Sequence, residues 1–363
     1  MGRMSLTYAV TPNPNAASPE RRAEIHANPG FGKFFTDHMV QITWTAEGGW
    51  HDAKVVPYGP IMMDPASAVL HYAQEIFEGM KAYRHADDSI WTFRPTANAA
   101  RFNKSATRLA LPTLPEDEFV ASITELVKID CDWVPAHGGE QSLYLRPFMF
   151  ASEVFLGVRP SAHVTYMVIA SPVGSYFAGG VKPVSIWLSQ DFTRSAPGGT
   201  GAAKCGGNYA AGLAAQLEAT ANGCDQVCFV DAVENKWIEE LGGMNLYFVH
   251  ADGRLITPPT SGTILEGVTR SSILKLGAAL GLTAEERPVS VDDWQDGVAS
   301  GEIREVFACG TAAVVTPVGR LVWPGGEVGG NNTGEMTTRI RDSLIDLQYG
   351  RSVDGNNWLH RLV

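Results

Sequence analysis

The sequence predicts an α+β protein of two domains, and three observations carry that prediction. At 363 residues the chain exceeds what one small hydrophobic core organises. With 45% hydrophobic and 18% charged residues, it has ample apolar material to bury and too little charge for a disordered or coiled-coil chain. The pattern also changes near the middle: strands alternate with helices before about residue 171, and strands dominate after about residue 180.

Residues 1–30 are rich in Pro, Asn, Ala and charge (TPNPNAASPERR) and read as an arm over the surface. A helix is expected through ANAARFNKSATRL, capped by Thr96, because Phe102, Ala106 and Leu109 share one face. A second starts at Pro115 and repeats Phe119, Ile123 and Leu126. YLRPF and VTYMVIAS read as strands. Residues 172–180 (PVGSYFAGG) have a linker's composition. Beyond them VSIWLSQ, DQVCFVD, MNLYFVH and LITP read as strands, with Asp252-Gly253 favouring a hairpin. Helices are expected at TRSSILKLGAALG and GEMTTRIRDSLIDLQ. The expected division is an arm at 1–30, a small α+β domain at 31–175, a linker at 176–190 and a large domain at 191–363.

The formal charge of −11, with no Lys/Arg-rich run, repels nucleic acid and acidic membrane surfaces, so neither is expected as a partner. Five scattered cysteines argue against a disulfide framework and for a reducing, cytoplasmic setting. Cys224 and Cys228 lack a second pair at zinc spacing, and no metal is expected. His38, His71, His163 and His250 show neither metal spacing nor a nucleophile partner and read as structural. MGRMSLTYAV carries no signal-peptide pattern, and the uncharged run 164–181 is broken by Pro172, Gly174 and Gly179, as in a strand leading into a loop.

The most informative segment is GGTGAAKCGGNYA. Five glycines (Gly198, Gly199, Gly201, Gly206, Gly207) surround Lys204 in a stretch otherwise devoid of charge. Glycines permit unusual backbone angles and close approach. Such a lysine can hold phosphate as a point charge, form an imine with a carbonyl, or simply pack its stem under the turn. The phosphate-loop spelling G-x-x-x-x-G-K-[ST] fails here, because Ala203 and Cys205 stand where Gly and a hydroxyl are needed. An imine with a pyridine aldehyde such as pyridoxal phosphate needs further parts: an acid against the ring nitrogen, a hydrogen bond to the ring oxygen, and a phosphate cradle. Glu240, Tyr209, the loop-to-helix step LEGVTRSS and the Gly310-Thr311 turn are candidates for these.

From Glu240 onward the text E-L-G-G-M-N-L-Y, then L-I-T ending at Thr257, then L-E-G-V-T-R ending at Arg270, resembles the signature of class IV (fold type IV) pyridoxal-phosphate aminotransferases. FGKFFTDHM, VLHYAQEIFEGMKAYR, YLRPF, GGTGAAKCGGNYA and DLQYGR narrow the resemblance to branched-chain amino acid aminotransferases, over about residues 31–351. The resemblance implies a smaller N-terminal α/β domain and a larger strand-rich pseudobarrel domain, with the cofactor between them. It implies a cytoplasmic homodimer whose first domain completes the neighbouring site. The implied reaction passes the amino group of L-leucine, L-isoleucine or L-valine to 2-oxoglutarate, giving L-glutamate. A D-amino acid aminotransferase and a lyase of a chorismate-derived amine are the rivals within the fold; a phosphate-loop nucleotide binder is the rival outside it.

The same resemblance assigns residues. Lys204 carries the imine and the proton transfer, Glu240 the ring nitrogen, and Tyr209 the ring oxygen. Arg101, Val268, Thr269 and Thr311 take the phosphate. Phe31, Tyr72, Phe77, Tyr144, Arg146 and Tyr176 line the substrate pocket, and the Thr311-Ala312 turn takes the α-carboxylate. Tyr144 and Arg146, two apart in a strand, project to one face. Two departures stand out: Ala313 and Thr316 replace a Cys-x-x-Cys found in some animal relatives, and Gly243 stands where some relatives have Thr.

Overall fold

Two separate nine-stranded sheets organise the chain. The structure, a computed structural model, describes residues 6–174 and 181–363. One unit comprises residues 1–176, 203–206 and 346–363; the other comprises 177–202 and 207–345.

In the first unit the strands are β1 (Ala9–Val10), β2 (His38–Thr45), β3 (Gly49–Pro57), β4 (Glu75–Phe77), β5 (Met80–Arg84), β6 (Ile90–Phe93), β7 (Ser142–Ala151) and β8 (His163–Val173). The helices are α1 (Pro19–Ala27), α2 (Ala68–Tyr72), α3 (Pro95–Arg108) and α4 (Glu116–Ile129). The sheet order is β1-β3-β2-β8-β7-β5-β6, with β4 also paired to β7 and a C-terminal strand (Leu359–Arg361) beside β6. The expected periodicities hold: Phe102 and Ala106 of α3 and Phe119, Ile123 and Leu126 of α4 are buried against the sheet. Tyr166 of β8 packs edge-on to Phe102 at 5.7 Å and shares a 2.9 Å hydrogen bond with Ser122 of α4.

The second unit contains β9 (Val184–Ser189), β10 (Gln226–Val230), β11 (Ile238–Leu241), β12 (Asn245–His250), β13 (Arg254–Thr257), β14 (Thr283–Glu286), β15 (Ile303–Gly310), β16 (Val314–Trp323) and β17 (Gly326–Gly329). Its helices are α5 (Gly206–Ala211), α6 (Leu213–Ala221), α7 (Val268–Ala279), α8 (Val291–Ser300) and α9 (Glu335–Gln348). The order is β11-β10-β9-β16-β15-β12-β13-β14, with β17 beside β16. β12 and β13 form the expected hairpin, and Gly253 takes φ +87° at its turn. The core gathers Ile186, Leu246, Phe248, Ile256, Trp294 and Leu321, with Phe248 edge-on to Trp294 at 5.1 Å.

Several expectations are corrected. Residues 184–189, expected in a linker, are β9, hydrogen-bonded between β10 and β16 because Ile186 and Leu188 belong to the core. Residues 203–206 and 346–363, expected in the large domain, belong to the first unit. Ala203 and Cys205 are buried in its core, and Leu359–Arg361 completes its sheet as β18. The arm at 1–30 holds α1 and β1. Thr96 is not the cap of α3: Pro95 occupies the first turn and Arg94 precedes it at φ +49°. Helices α5, α6 and α8 escaped sequence reading, although Ser290 and Asp293 form a reciprocal capping box at the start of α8. Among the described residues no helix is long and apolar enough to cross a membrane, and all five cysteines are free.

Candidate active site

Lys204 lies in the first unit, where its main chain is held on both sides. Its N–H donates to Ser105 Oγ at 2.9 Å, its C=O accepts from Phe77 N–H at 2.9 Å, and the N–H of Gly206 donates to the Glu75 carboxylate. Ser105 sits one helical turn after Arg101 on the buried face of α3, so a single helix supplies both. The ammonium of Lys204 lies 4.9 Å from the centroid of the Phe77 ring.

The guanidinium of Arg146 lies 4.8 Å from the same ring, and its Nη2 donates to the Tyr144 hydroxyl at 3.0 Å. Phe31 packs against Tyr144 at 5.1 Å. Gly79 makes this possible, since a Cβ there would stand 2.1 Å from the Tyr144 hydroxyl. Five residues singled out from sequence (Phe31, Phe77, Tyr144, Arg146 and Lys204) therefore form one contiguous cluster. Burial raises the pKa of Glu75, and the Gly206 N–H and Arg146 oppose it. Arg101 is buried and forms a two-bond fork with Glu78. Tyr72 falls elsewhere in this unit: it is 38% exposed on α2, with its hydroxyl donating to Leu156 O. Tyr176 lies outside the described residues.

In the second unit Glu240 is buried on β11. Its Oε1 accepts from Leu265 N–H at 2.8 Å and pairs with Arg194 Nη1 at 2.8 Å; Asn245 Nδ2 lies 3.3 Å from Oε2. Arg194 also donates to Thr263 O at 3.0 Å, so one buried cation ties the carboxylate to the chain that follows β13. These three partners fix the buried carboxylate in place. Gly201 approaches the same chain so closely that a Cβ would meet Thr263 O at 2.1 Å. Helix α7 starts at Val268 with Gly267 at its cap and no side-chain capping bond, and Thr269 is in its first turn. That is a helix N-terminus suited to an anion.

Thr311 and Ala312 occupy the tight turn between β15 and β16, where Val314 is held at φ +60°. A β-branched residue there is strained, which the flanking ladder sustains. Tyr209 is on α5, and a Cβ at Gly243 would lie 3.6 Å from its ring, ordinary contact distance. Ala313 and Thr316 are buried, and burial pushes the neighbouring Cys309 thiol up to about 12. Of the histidines read as structural, His38 is tied to a carboxylate, its Nδ1 lying 2.7 Å from Asp130. Among the described residues no group of three His, Cys, Asp or Glu is placed to hold a metal.

Sequence reasoning missed Glu75, Glu78, Asn98, Ser105, Arg194 and Asn245. Ser105 and Asn98 had a weak signal in their helical spacing from Arg101, Glu75, Glu78 and Asn245 lay inside the quoted motifs without an assigned role, and Arg194 had no signal.

A half-buried lysine in the first unit and, in the second, a fixed carboxylate, a tyrosine and a helix N-terminus are each of a type that a phosphorylated pyridine aldehyde uses. The sequence profile of amino-transferase class IV matches residues 75–321, and the chain belongs to that family, whose cofactor is pyridoxal 5′-phosphate. Full-length relatives narrow it. A probable branched-chain-amino-acid aminotransferase of Streptomyces coelicolor is 58% identical, with 98% of this chain and 99% of that protein covered. The branched-chain-amino-acid aminotransferase of Mycolicibacterium smegmatis is 55% identical, with 98% of each covered. Within class IV the chain belongs with these branched-chain-amino-acid aminotransferases. Among solved structures, the branched-chain amino acid aminotransferase of Escherichia coli superposes with a TM-score of 0.72 at 29% identity, covering 89% of this chain and 100% of that one. A second branched-chain amino acid aminotransferase, also 29% identical with a TM-score of 0.72, has been solved with pyridoxamine 5′-phosphate. That enzyme has further been solved with N-(5′-phosphopyridoxyl)-L-glutamate and with 4-methylvaleric acid.

Proposed function

We propose that the enzyme transfers the amino group of L-leucine, L-isoleucine or L-valine to 2-oxoglutarate, forming branched 2-oxo acids and L-glutamate. The observation that carries this reading is the Phe31–Tyr144–Arg146–Phe77 cluster beside Lys204. Its aromatic faces suit an aliphatic side chain, while the Arg146 guanidinium and the Tyr144 hydroxyl suit the second carboxylate of glutamate. One pocket then serves both partners of a transamination.

When bound, pyridoxal phosphate supplies an aldehyde to receive the amino group and a ring to delocalise charge. In this reading Lys204 anchors it and moves the substrate's α-proton, Glu240 holds the ring nitrogen protonated, and Tyr209 donates to the ring oxygen. Arg101, the N–H groups of Val268 and Thr269, and the Thr311 hydroxyl hold the phosphate, while the N–H groups of the Thr311-Ala312 turn take the α-carboxylate.

The test is glutamate formation by the purified holoenzyme. The three branched L-amino acids are expected to react at rates within about tenfold of one another, and D-alanine more than about a hundredfold slower. Faster turnover of D-alanine, or lyase activity on a chorismate-derived amine, would replace this reading.

The second inference is a homodimer in the cytoplasm. Segment 152–158 is hydrogen-bonded to α2 and its approach: Ala68 N–H donates to Glu153 O, Phe155 N–H to Ala66 O, and Tyr72 to Leu156 O. Together they expose Leu70, Tyr72, Val154, Leu156 and Val158, the last at 87%. Such a continuous apolar patch suits a partner copy, with Tyr72 reaching the partner's pocket. Five free cysteines fit a reducing compartment. Sedimentation is expected to give twice the chain mass of 39.1 kDa, and Leu70→Asp with Leu156→Asp to give monomers. A monomeric wild-type enzyme would end this inference.

A further inference from the structure

Glu78 has no exposure to solvent, and a carboxylate taken wholly out of water persists only where its partners are arranged around it. It follows Phe77 directly, in the two-residue step between β4 and β5. Four donors reach it. Arg101 Nε lies 2.7 Å from Oε1 and Arg101 Nη2 lies 2.8 Å from Oε2, a parallel fork that fixes the plane of the guanidinium. Asn98 Nδ2 lies 2.8 Å from Oε2, and the Gly79 N–H donates to the same oxygen at 3.2 Å.

Asn98 and Arg101 are three residues apart on α3 and so share a face. Burial alone would push the Glu78 carboxyl up. The Arg101 charge and hydrogen bonds, the nearby Lys204 ammonium and the Asn98 amide outweigh it and hold Glu78 below the usual carboxylate range, hence ionised. The cation assigned to the cofactor phosphate is thereby held by a carboxylate that is itself fully buried.

The geometry points to Glu78 as a positioning residue, which with Asn98 sets the orientation of the Arg101 guanidinium for the cofactor phosphate. This rests on the reading that Arg101 binds that phosphate. An arginine oriented in advance loses less side-chain freedom when the anion arrives, so the fork strengthens cofactor retention.

The experiment dialyses holoenzyme against cofactor-free buffer containing inorganic phosphate and follows loss of the visible absorbance. Glu78→Gln keeps the shape and removes the charge. It is expected to lose cofactor about tenfold faster, and Arg101→Gln at least as fast. The double variant should be no faster than Arg101→Gln alone, because Glu78 acts through Arg101. Asn98→Ala, which leaves the fork in place, should accelerate loss about threefold, and that effect too should vanish in an Arg101→Gln background. This second cycle carries the test if Glu78→Gln does not accumulate.

A purely structural role would instead lower the thermal midpoint and give additive rates in the double variants, and that result overturns the inference. So does wild-type retention in Glu78→Gln or Asn98→Ala while Arg101→Gln loses cofactor quickly. Unchanged retention in Arg101→Gln overturns the phosphate reading itself, and this inference with it.

Discussion

Lys204→Ala is expected to reduce transamination by about four orders of magnitude, the upper range for a positioned acid-base group, since the same amine also anchors the cofactor. The variant should fold. The contacts that fix residue 204 are made by its main chain, with Ser105 and Phe77, and remain when the side chain is cut back. What disappears is the ammonium, with its contact to the Phe77 ring and its charge near Glu78. Borohydride reduction followed by peptide mass analysis should label the peptide containing Lys204 in the wild-type enzyme and leave the variant unlabelled. A label on another lysine, or a variant within tenfold of wild-type turnover, would remove Lys204 from the reaction.

Glu240→Gln should lower kcat by about a hundred- to a thousandfold, the cost of losing one preorganised electrostatic partner, while changing KM for leucine by less than about threefold. The substitution is nearly isosteric, and the Gln oxygen can still accept from Leu265 N–H. It nevertheless breaks the buried ion pair with Arg194, leaving that cation only its weaker interaction with Glu239. Breaking such a pair costs about 3 kcal/mol or more, a fall of the order of 6 °C in Tm. The two effects separate in a double variant, Arg194→Met with Glu240→Leu, which should regain thermal stability and no activity. Recovery of turnover in that variant, or an unchanged kcat in Glu240→Gln, would show that the carboxylate is not needed by the ring.

How legible the molecule was in its sequence depends on the range of each interaction. The faces of α3 and α4 and the β12–β13 hairpin were readable because helical periodicity and the Asp252-Gly253 turn act within a few residues. β9 was misread because its Pro- and Gly-rich approach resembles a linker, while its burial comes from β10 and β16 on either side. Helix α8 was missed even though its capping box is local, because Gly297 and the Asp-rich text read as a turn. The reason Gly297 is tolerated there lies in close packing, since a Cβ would meet Ile303 at 2.6 Å.

By itself the sequence determined which groups are available: one lysine among glycines, a carboxylate ahead of a helix N-terminus, and a Tyr-x-Arg pair that strand geometry turns to one face. Those are properties of residue type and short spacing, and a chain carries them before it folds. Only the tertiary structure decided what holds them. Ser105 anchors a backbone 99 residues away, Glu78 orients an arginine 23 residues away, and Arg194 faces Glu240 from a different segment of its unit. Each of these contacts depends on burial and on strand and helix pairing at long range, where a polar residue gains its role from the partner that arrives beside it.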